Sequence, residues 1–267
     1  LSLFQRSAPY VIPKPDRSYG SWEHALYEKL PALQTLSRAA MYTHHESRAL
    51  AMTGFKSALK PFEWQFQRHL NKAIKDPVLR AKLTPDYPLG CKRILISNEY
   101  YETLARPNVD VVTDNIAEVT ATGIRTKDGQ DYPVDAIIYG TGFQATDFLA
   151  PMKITGRDGI DLNQVWRDGA EAYLGMTVSG FPNLFLLYGP NTNLGHNSIV
   201  YMLESQFSYI LDAVKTLQQR DLRFVDVRSQ VQGVYNRWVQ KQIKNTIWDA
   251  GCTSWYKTAS GKNTNNW

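Results

Sequence analysis

At 267 residues the chain has room for one large domain or two ordinary ones, with enough apolar material for a substantial core. Its net charge of +5 is mild, and Lys and Arg are interleaved with acids rather than clustered, which excludes a nucleic-acid footprint. No apolar run is long enough to span a bilayer as a helix, and no signal-peptide pattern is visible. Cys91 and Cys252 share no C-x-x-C spacing and no disulfide framework, so free thiols in a reducing, cytoplasmic setting are expected.

In chain order, Leu1 to Gln5 alternates like a strand and already reads as the middle of one; with no initiator Met, a fragment of a longer protein is expected. Val11 to Arg17 is punctuated by prolines, each pushing its predecessor out of helical space. Ser21 is placed to cap a helical region running from Trp22 to about Leu83, with a break at Pro31, a connector near Gly54 and a new first turn at Pro61. Short strands follow at 94–96, 109–112, 116–120 and 124–126, with a hairpin-type turn at Asp128-Gly129.

The apolar run Ala136 to Tyr139 predicts a buried strand that stops at Gly140-Thr141-Gly142, where absent Cβ atoms let the backbone turn and approach something closely. Gly140, Gly142 and Ala145 satisfy G-x-G-x-x-G/A as a bare pattern, but a dinucleotide fingerprint must open a helix, and Pro151 stops one after a turn. Further on, Leu184 to Tyr188 predicts a buried strand. After the loop Gly189 to Asn197 comes an amphipathic helix with Ile199, Leu203, Phe207, Ile210, Val214 and Leu217 on one face. Leu222 to Val227 reads as a strand, 231–248 as a helix, and Thr253 to Trp267 as a polar, aromatic loop.

Nine stretches together carry a resemblance. They are Phe4-Gln5-Arg6-Ser7-Ala8-Pro9, Gly90-Cys91-Lys92-Arg93, Tyr100-Tyr101-Glu102, Arg106-Pro107-Asn108-Val109, Asp135 to Phe143, Tyr173-Leu174-Gly175, Gly180 to Phe185, Gly189-Pro190-Asn191 and Ser254-Trp255-Tyr256. In this order they resemble the C-terminal part of Baeyer–Villiger and related flavin-containing monooxygenases. The resemblance implies an α/β fold, part of a flavoprotein with two dinucleotide-binding domains, holding incomplete Rossmann-like NADPH and FAD domains and an all-helical insert. Residues 1–8 would end an NADPH-domain strand, 9–91 form the insert walling the substrate pocket, 92–139 complete the NADPH domain, and 140–267 form the C-terminal part of the FAD domain.

The same resemblance implies FAD and NADP(H) as cofactors, with one oxygen atom of O2 inserted through a C4a-peroxyflavin into a small organic ketone. Arg6, Ser7 and Lys92 would face the 2′-phosphate of NADPH, a match of guanidinium, hydroxyl and ammonium to phosphate oxygens. Arg93 would be catalytic, a permanent cation steadying developing negative charge. Gly140, Thr141, Gly142 and Phe143 would serve the FAD site, as would Asn191, Asn197, Ser198 and Ile199, where a capped helix start favours negative charge. Trp255 would lie in a segment folding over NADP and substrate.

On the residues alone, Arg6 and Lys92 read equally as solvated charges, and Arg93 as a salt-bridged arginine before a strand. His196 reads as solvent-facing or as a partner of flavin. His44-His45 lack a surrounding ligand set, so no metal is expected. Both glycine fingerprints of the family lie outside this sequence. That leaves two rivals open: an N- or S-oxygenating relative acting on a soft nucleophile, and a cofactor-free binding or scaffold remnant. The missing partner of either enzyme reading is the N-terminal part of the same protein.

Overall fold

A computed structural model describes residues 1–54 and 56–267, with only the backbone described at 56. In chain order the elements are β1 (Ser2–Phe4), β2 (Val11–Ile12), α1 (Ser21–Lys29), α2 (Pro31–Met52), α3 (Lys60–Ala73) and α4 (Pro77–Lys82). There follow β3 (Leu95–Ile96), α5 (Tyr100–Leu104), β4 (Asp110–Val112), β5 (Ile116–Thr120), β6 (Gly123–Thr126) and β7 (Asp131–Pro133). The remainder is helical or irregular, with α6 (Leu162–Val165), α7 (Ile199–Gln219) and α8 (Ser229–Ile243).

Two compact units divide the chain, one of residues 1–19 and 57–143, the other of 20–56 and 144–267. The expected helical region is therefore shared, with α1 and α2 in the second unit and α3 and α4 in the first. Its expected connector near Gly54 includes Phe55, which lies outside the described residues.

In the first unit, β1 pairs parallel with β4 and β2 parallel with β3. Parallel pairs joined through long crossovers mark an α/β architecture. The apolar face of α3, with Phe66, Leu70 and Ile74 four residues apart, buries against Val11, Leu83, Tyr101, Leu104 and Val111. Asp76 caps α4 through its carboxylate, which accepts from the Val78 and Leu79 N–H groups at 2.9 and 3.3 Å. Strands β5, β6 and β7 make an antiparallel sheet whose tight turn runs through Asp128-Gly129, as the sequence predicts. Gly129 takes φ +89°, and Asp128 Oδ1 accepts from Thr126 Oγ1 at 2.6 Å.

In the second unit, Leu162, Trp166, Ala170, Ala172, Val178, Phe181 and Leu186 form a core. Pro31 opens α2 as its first helical residue, the expected break. Gly20, not Ser21, precedes α1, and Glu23 reaches back to accept from the Gly20 N–H at 2.8 Å.

Five expectations are corrected. Residues 136–142 form no strand: Ile138 is 90% exposed, Tyr139 73% and Phe143 97%. No described strand pairs with this run, and an apolar pattern alone cannot satisfy a backbone ladder. Leu184–Tyr188 and Leu222–Val227 are likewise irregular. Asn183 joins the two segments, its N–H donating to Val225 O and its Oδ1 accepting from Val225 N, both at 3.0 Å. The face of α7 predicted as core is only half-buried at Ile199, Leu203, Ile210 and Leu217 and exposed at Phe207 and Val214, and Gln206, off that face, is the helix's one buried residue. Finally, Cys91 and Cys252 are both disulfide-bonded, so the free-thiol argument for a reducing compartment falls. No helix among the described residues is long and apolar enough to cross a membrane.

Candidate functional site

Arg6 and Ser7 directly follow β1, whose ladder extends one bond further through Gln5 N to Val112 O at 2.9 Å. They therefore stand at the carboxyl end of a parallel strand, the end where open α/β sheets bind ligands. The β2–β3 pairing draws the segment before Leu95 alongside. Lys92 Nζ donates to Ser7 Oγ at 3.1 Å and lies 4.3 Å from the centroid of the Tyr87 ring. Arg6 and Arg93 are exposed, and neither has an ion-pair partner among the described residues. The salt-bridged reading of Arg93 is thereby set aside. Three cations with no acid to neutralise them make this strand end a surface suited to an anion.

The predicted flavin glycines lie in the same unit. Gly142 takes φ +93°, and no atom stands within 4 Å of where a Cβ would sit on Gly140 or Gly142. Turns rather than a helix follow, as the rejected fingerprint requires. Thr141 and Phe143 are exposed beside them. The backbone here is open to close approach, and nothing in the described chain makes that approach.

In the second unit, two of the resemblance stretches interlock. A Cβ on Gly175, at φ +67°, would stand 2.0 Å from Thr192 Cγ2, and one on Gly189 would stand 2.3 Å from Gly175 O. Only glycine permits this approach. Asn191 (φ +55°) is turned inward, not outward. Its Nδ2 donates to Asn263 O at 3.0 Å and to Asn266 O at 2.6 Å, and its N–H donates to Thr264 O at 2.8 Å. The tail expected to be a plain loop is thus a buried clip, with Asn263, Thr264, Asn265 and Asn266 all inside. Trp255 remains partly exposed, its ring 4.5 Å from that of Tyr256.

Ser198 caps α7, accepting from Val200 N at 3.2 Å, and Ile199 opens the helix. Asn197 Oδ1 accepts from Ser198 N at 2.8 Å, while its Nδ2 donates to Glu46 Oε2, also at 2.8 Å. His196 is not solvent-facing: its side chain is 6% exposed, with Nε2 3.4 Å from the same Glu46 oxygen. Burial, reinforced by Arg48, His44 and His196, holds the neighbouring His45 below the usual imidazole range.

These groups border a cavity of about 700 Å3 between α2 and the start of α7, whose wall includes Tyr42, Glu46, Leu194, His196, Asn197, Tyr201 and Met202. Sequence reasoning missed Glu46 altogether. The one available signal was its helical spacing from Arg38 and Tyr42, eight and four residues back on the same face of α2.

The parallel strand pairs with their helical crossovers define an α/β fold. No protein-family model matches the chain. Over its whole length, however, the chain is 46% identical to a Baeyer-Villiger monooxygenase of Pseudomonas aeruginosa and 43% identical to one of Streptomyces coelicolor. It is the homologue of about half of each, spanning 51% and 52% of their respective lengths. Among solved structures, an oxidized steroid monooxygenase bound to NADP superimposes with a TM-score of 0.80 at 27% identity, over 99% of this chain and 57% of that one.

Proposed function

We propose that this chain is the C-terminal half of an FAD- and NADPH-dependent Baeyer–Villiger monooxygenase, converting a ketone to an ester or lactone. The observation that carries the reading is the Lys92–Ser7 contact at a parallel strand end, flanked by Arg6 and Arg93 without acidic partners. Bound FAD would supply the redox chemistry, accepting electrons from NADPH and activating O2.

The residues of this chain fit both cofactors. Arg6, Ser7 and Lys92 offer a guanidinium, a hydroxyl and an ammonium to the NADPH phosphate. Gly140 and Gly142 leave room for a ring to come against the backbone, with Thr141 between them and Phe143 next in the chain. The capped start of α7, at Asn197, Ser198 and Ile199, presents N–H groups and a positive dipole end to an electron-rich edge of the flavin. Arg93, always charged, steadies negative charge that develops on oxygen during transfer. Asn191 acts by fixing the loop that carries these groups, and Trp255 by covering the nicotinamide side.

The two halves of each nucleotide site meet only when an N-terminal part joins this chain. Ile138 and Tyr139 in the first unit, and separately Phe207 and Leu211 in the second, are exposed apolar side chains that such a part would cover. In this arrangement residues 1–8 and 92–139 complete the NADPH domain, 9–91 form the helical insert, and 140–267 complete the FAD domain. The test is to purify the protein with its N-terminal part and supply FAD, NADPH, a cyclic ketone and a thioether. A yellow protein that forms lactone supports the reading. Sulfoxide as the sole product assigns the N- or S-oxygenating class instead, and a colourless protein that leaves NADPH intact makes the chain a binding remnant.

A further inference from the structure

The cavity between α2 and α7 is lined by aromatic and aliphatic side chains together with charged and hydroxyl groups, and the polar groups differ in how well they are satisfied. The Tyr42 and Tyr201 rings meet edge-on with centroids 4.9 Å apart, and Leu194 and Met202 extend the same wall. Arg38 and Glu204 neutralise each other in an ion pair, with the Arg38 guanidinium 4.6 Å above the Tyr201 ring. Glu46 is different. Its Oε2 is held by Asn197 at 2.8 Å and lies 3.4 Å from His196, whereas its Oε1 has no partner among the described residues. The Glu46 side chain is 43% exposed, whereas His196 Nδ1 is buried with no hydrogen-bond partner among the described residues.

We propose that Glu46 is a specificity-determining residue, accepting a hydrogen bond from a hydroxyl on an otherwise apolar, aromatic ketone bound in this cavity. The inference rests on the monooxygenase reading for the ketone, and on the geometry for the hydroxyl. One carboxylate oxygen is tied in place, so the other is aimed without further ordering cost when a donor arrives. A carboxylate acceptor strengthens the bond relative to a neutral one. Asn197 and His196 are positioning residues, acting through Glu46.

The test measures Kd by calorimetry on the full-length, FAD-loaded protein without NADPH, using para-hydroxybenzylacetone and benzylacetone as probes. The wild type is expected to bind the phenol about 10-fold more tightly than the unsubstituted ketone. In Glu46→Gln, which keeps the shape and the Asn197 contact, the preference should shrink to about threefold or less, and in Glu46→Ala it should vanish. An equal preference in all three proteins, or none in the wild type, overturns the role of Glu46. Product assays on the same preparations separate the layers. Ester formed with an unaltered preference removes only the Glu46 assignment. A preference that disappears in the variants, with no oxygenated product from any of them, keeps the binding site and removes the monooxygenase reading.

Discussion

Lys92 Nζ donates to Ser7 Oγ at 3.1 Å, joining residues 85 positions apart at the end of a parallel strand. The contact leaves the ammonium's other protons free for an anion. Replacing Lys92 or Arg6 by alanine in the full-length enzyme should raise KM for NADPH about 10-fold or more, with little change in KM for NADH, which lacks the 2′-phosphate. Equal effects on the two nucleotides would take both residues out of the phosphate site.

Arg93 stands exposed one residue further along, without an acidic partner among the described residues. Arg93→Ala should retain FAD, seen by its absorbance, yet lose ester formation, with NADPH consumption slowed or uncoupled from product. Unchanged product yield per NADPH would remove Arg93 from the catalytic groups.

Gly175 and Thr192 share a contact that admits no side chain. Gly175→Ala places a Cβ 2.0 Å from Thr192 Cγ2 at φ +67°, and should cost about 3 kcal/mol or more in unfolding free energy. Combining it with Thr192→Ala should recover part of that loss, because the clashing methyl is gone. Denaturant melts of the two single variants and the double variant measure the coupling, and strict additivity would mean the loop does not pack this way.

Burial holds His45 below its ordinary range, so the unfolded chain binds a proton more readily than the folded one. Its contribution to stability is full above the unfolded imidazole pKa, about 6.5, and is lost as pH falls below it. His45→Gln should flatten the fall in unfolding free energy between neutral pH and about pH 5. An identical slope in wild type and variant would contradict the assignment.

Both cysteines are disulfide-bonded, so protein denatured without reductant should show no thiol to a colorimetric reagent and regain reactivity after reduction. Thiols detected before reduction would restore the sequence expectation.

Local signals in this chain were legible where local physics decides. Pro31 at a helix start, Asp128-Gly129 in a hairpin and Ser198 as a cap all follow from short-range sterics and hydrogen bonding. The runs at Ala136–Tyr139 and along the α7 face were read as buried from their apolar pattern. Burial, however, needs a partner surface, and pattern does not supply one. The tail failed in the opposite sense. Asn263, Thr264, Asn265 and Asn266 look like loop residues, yet their backbone carbonyls accept from Asn191 and Asn193, and Asn263 Oδ1 accepts from the Asn265 and Asn266 N–H groups, so they can be buried. The motif residues Arg6, Ser7 and Lys92 were found through resemblance, and Glu46 escaped because nothing local marks a helix-face glutamate as a cavity residue.

The central claim, that this chain completes a flavin monooxygenase, is tested most directly by following isotope. Full-length protein supplied with FAD, NADPH, a cyclic ketone and oxygen-18 gas should yield a lactone carrying one heavy atom, with one NADPH spent per product. Unlabelled product, or NADPH oxidised with O2 reduced only to hydrogen peroxide and the ketone returned intact, would contradict it.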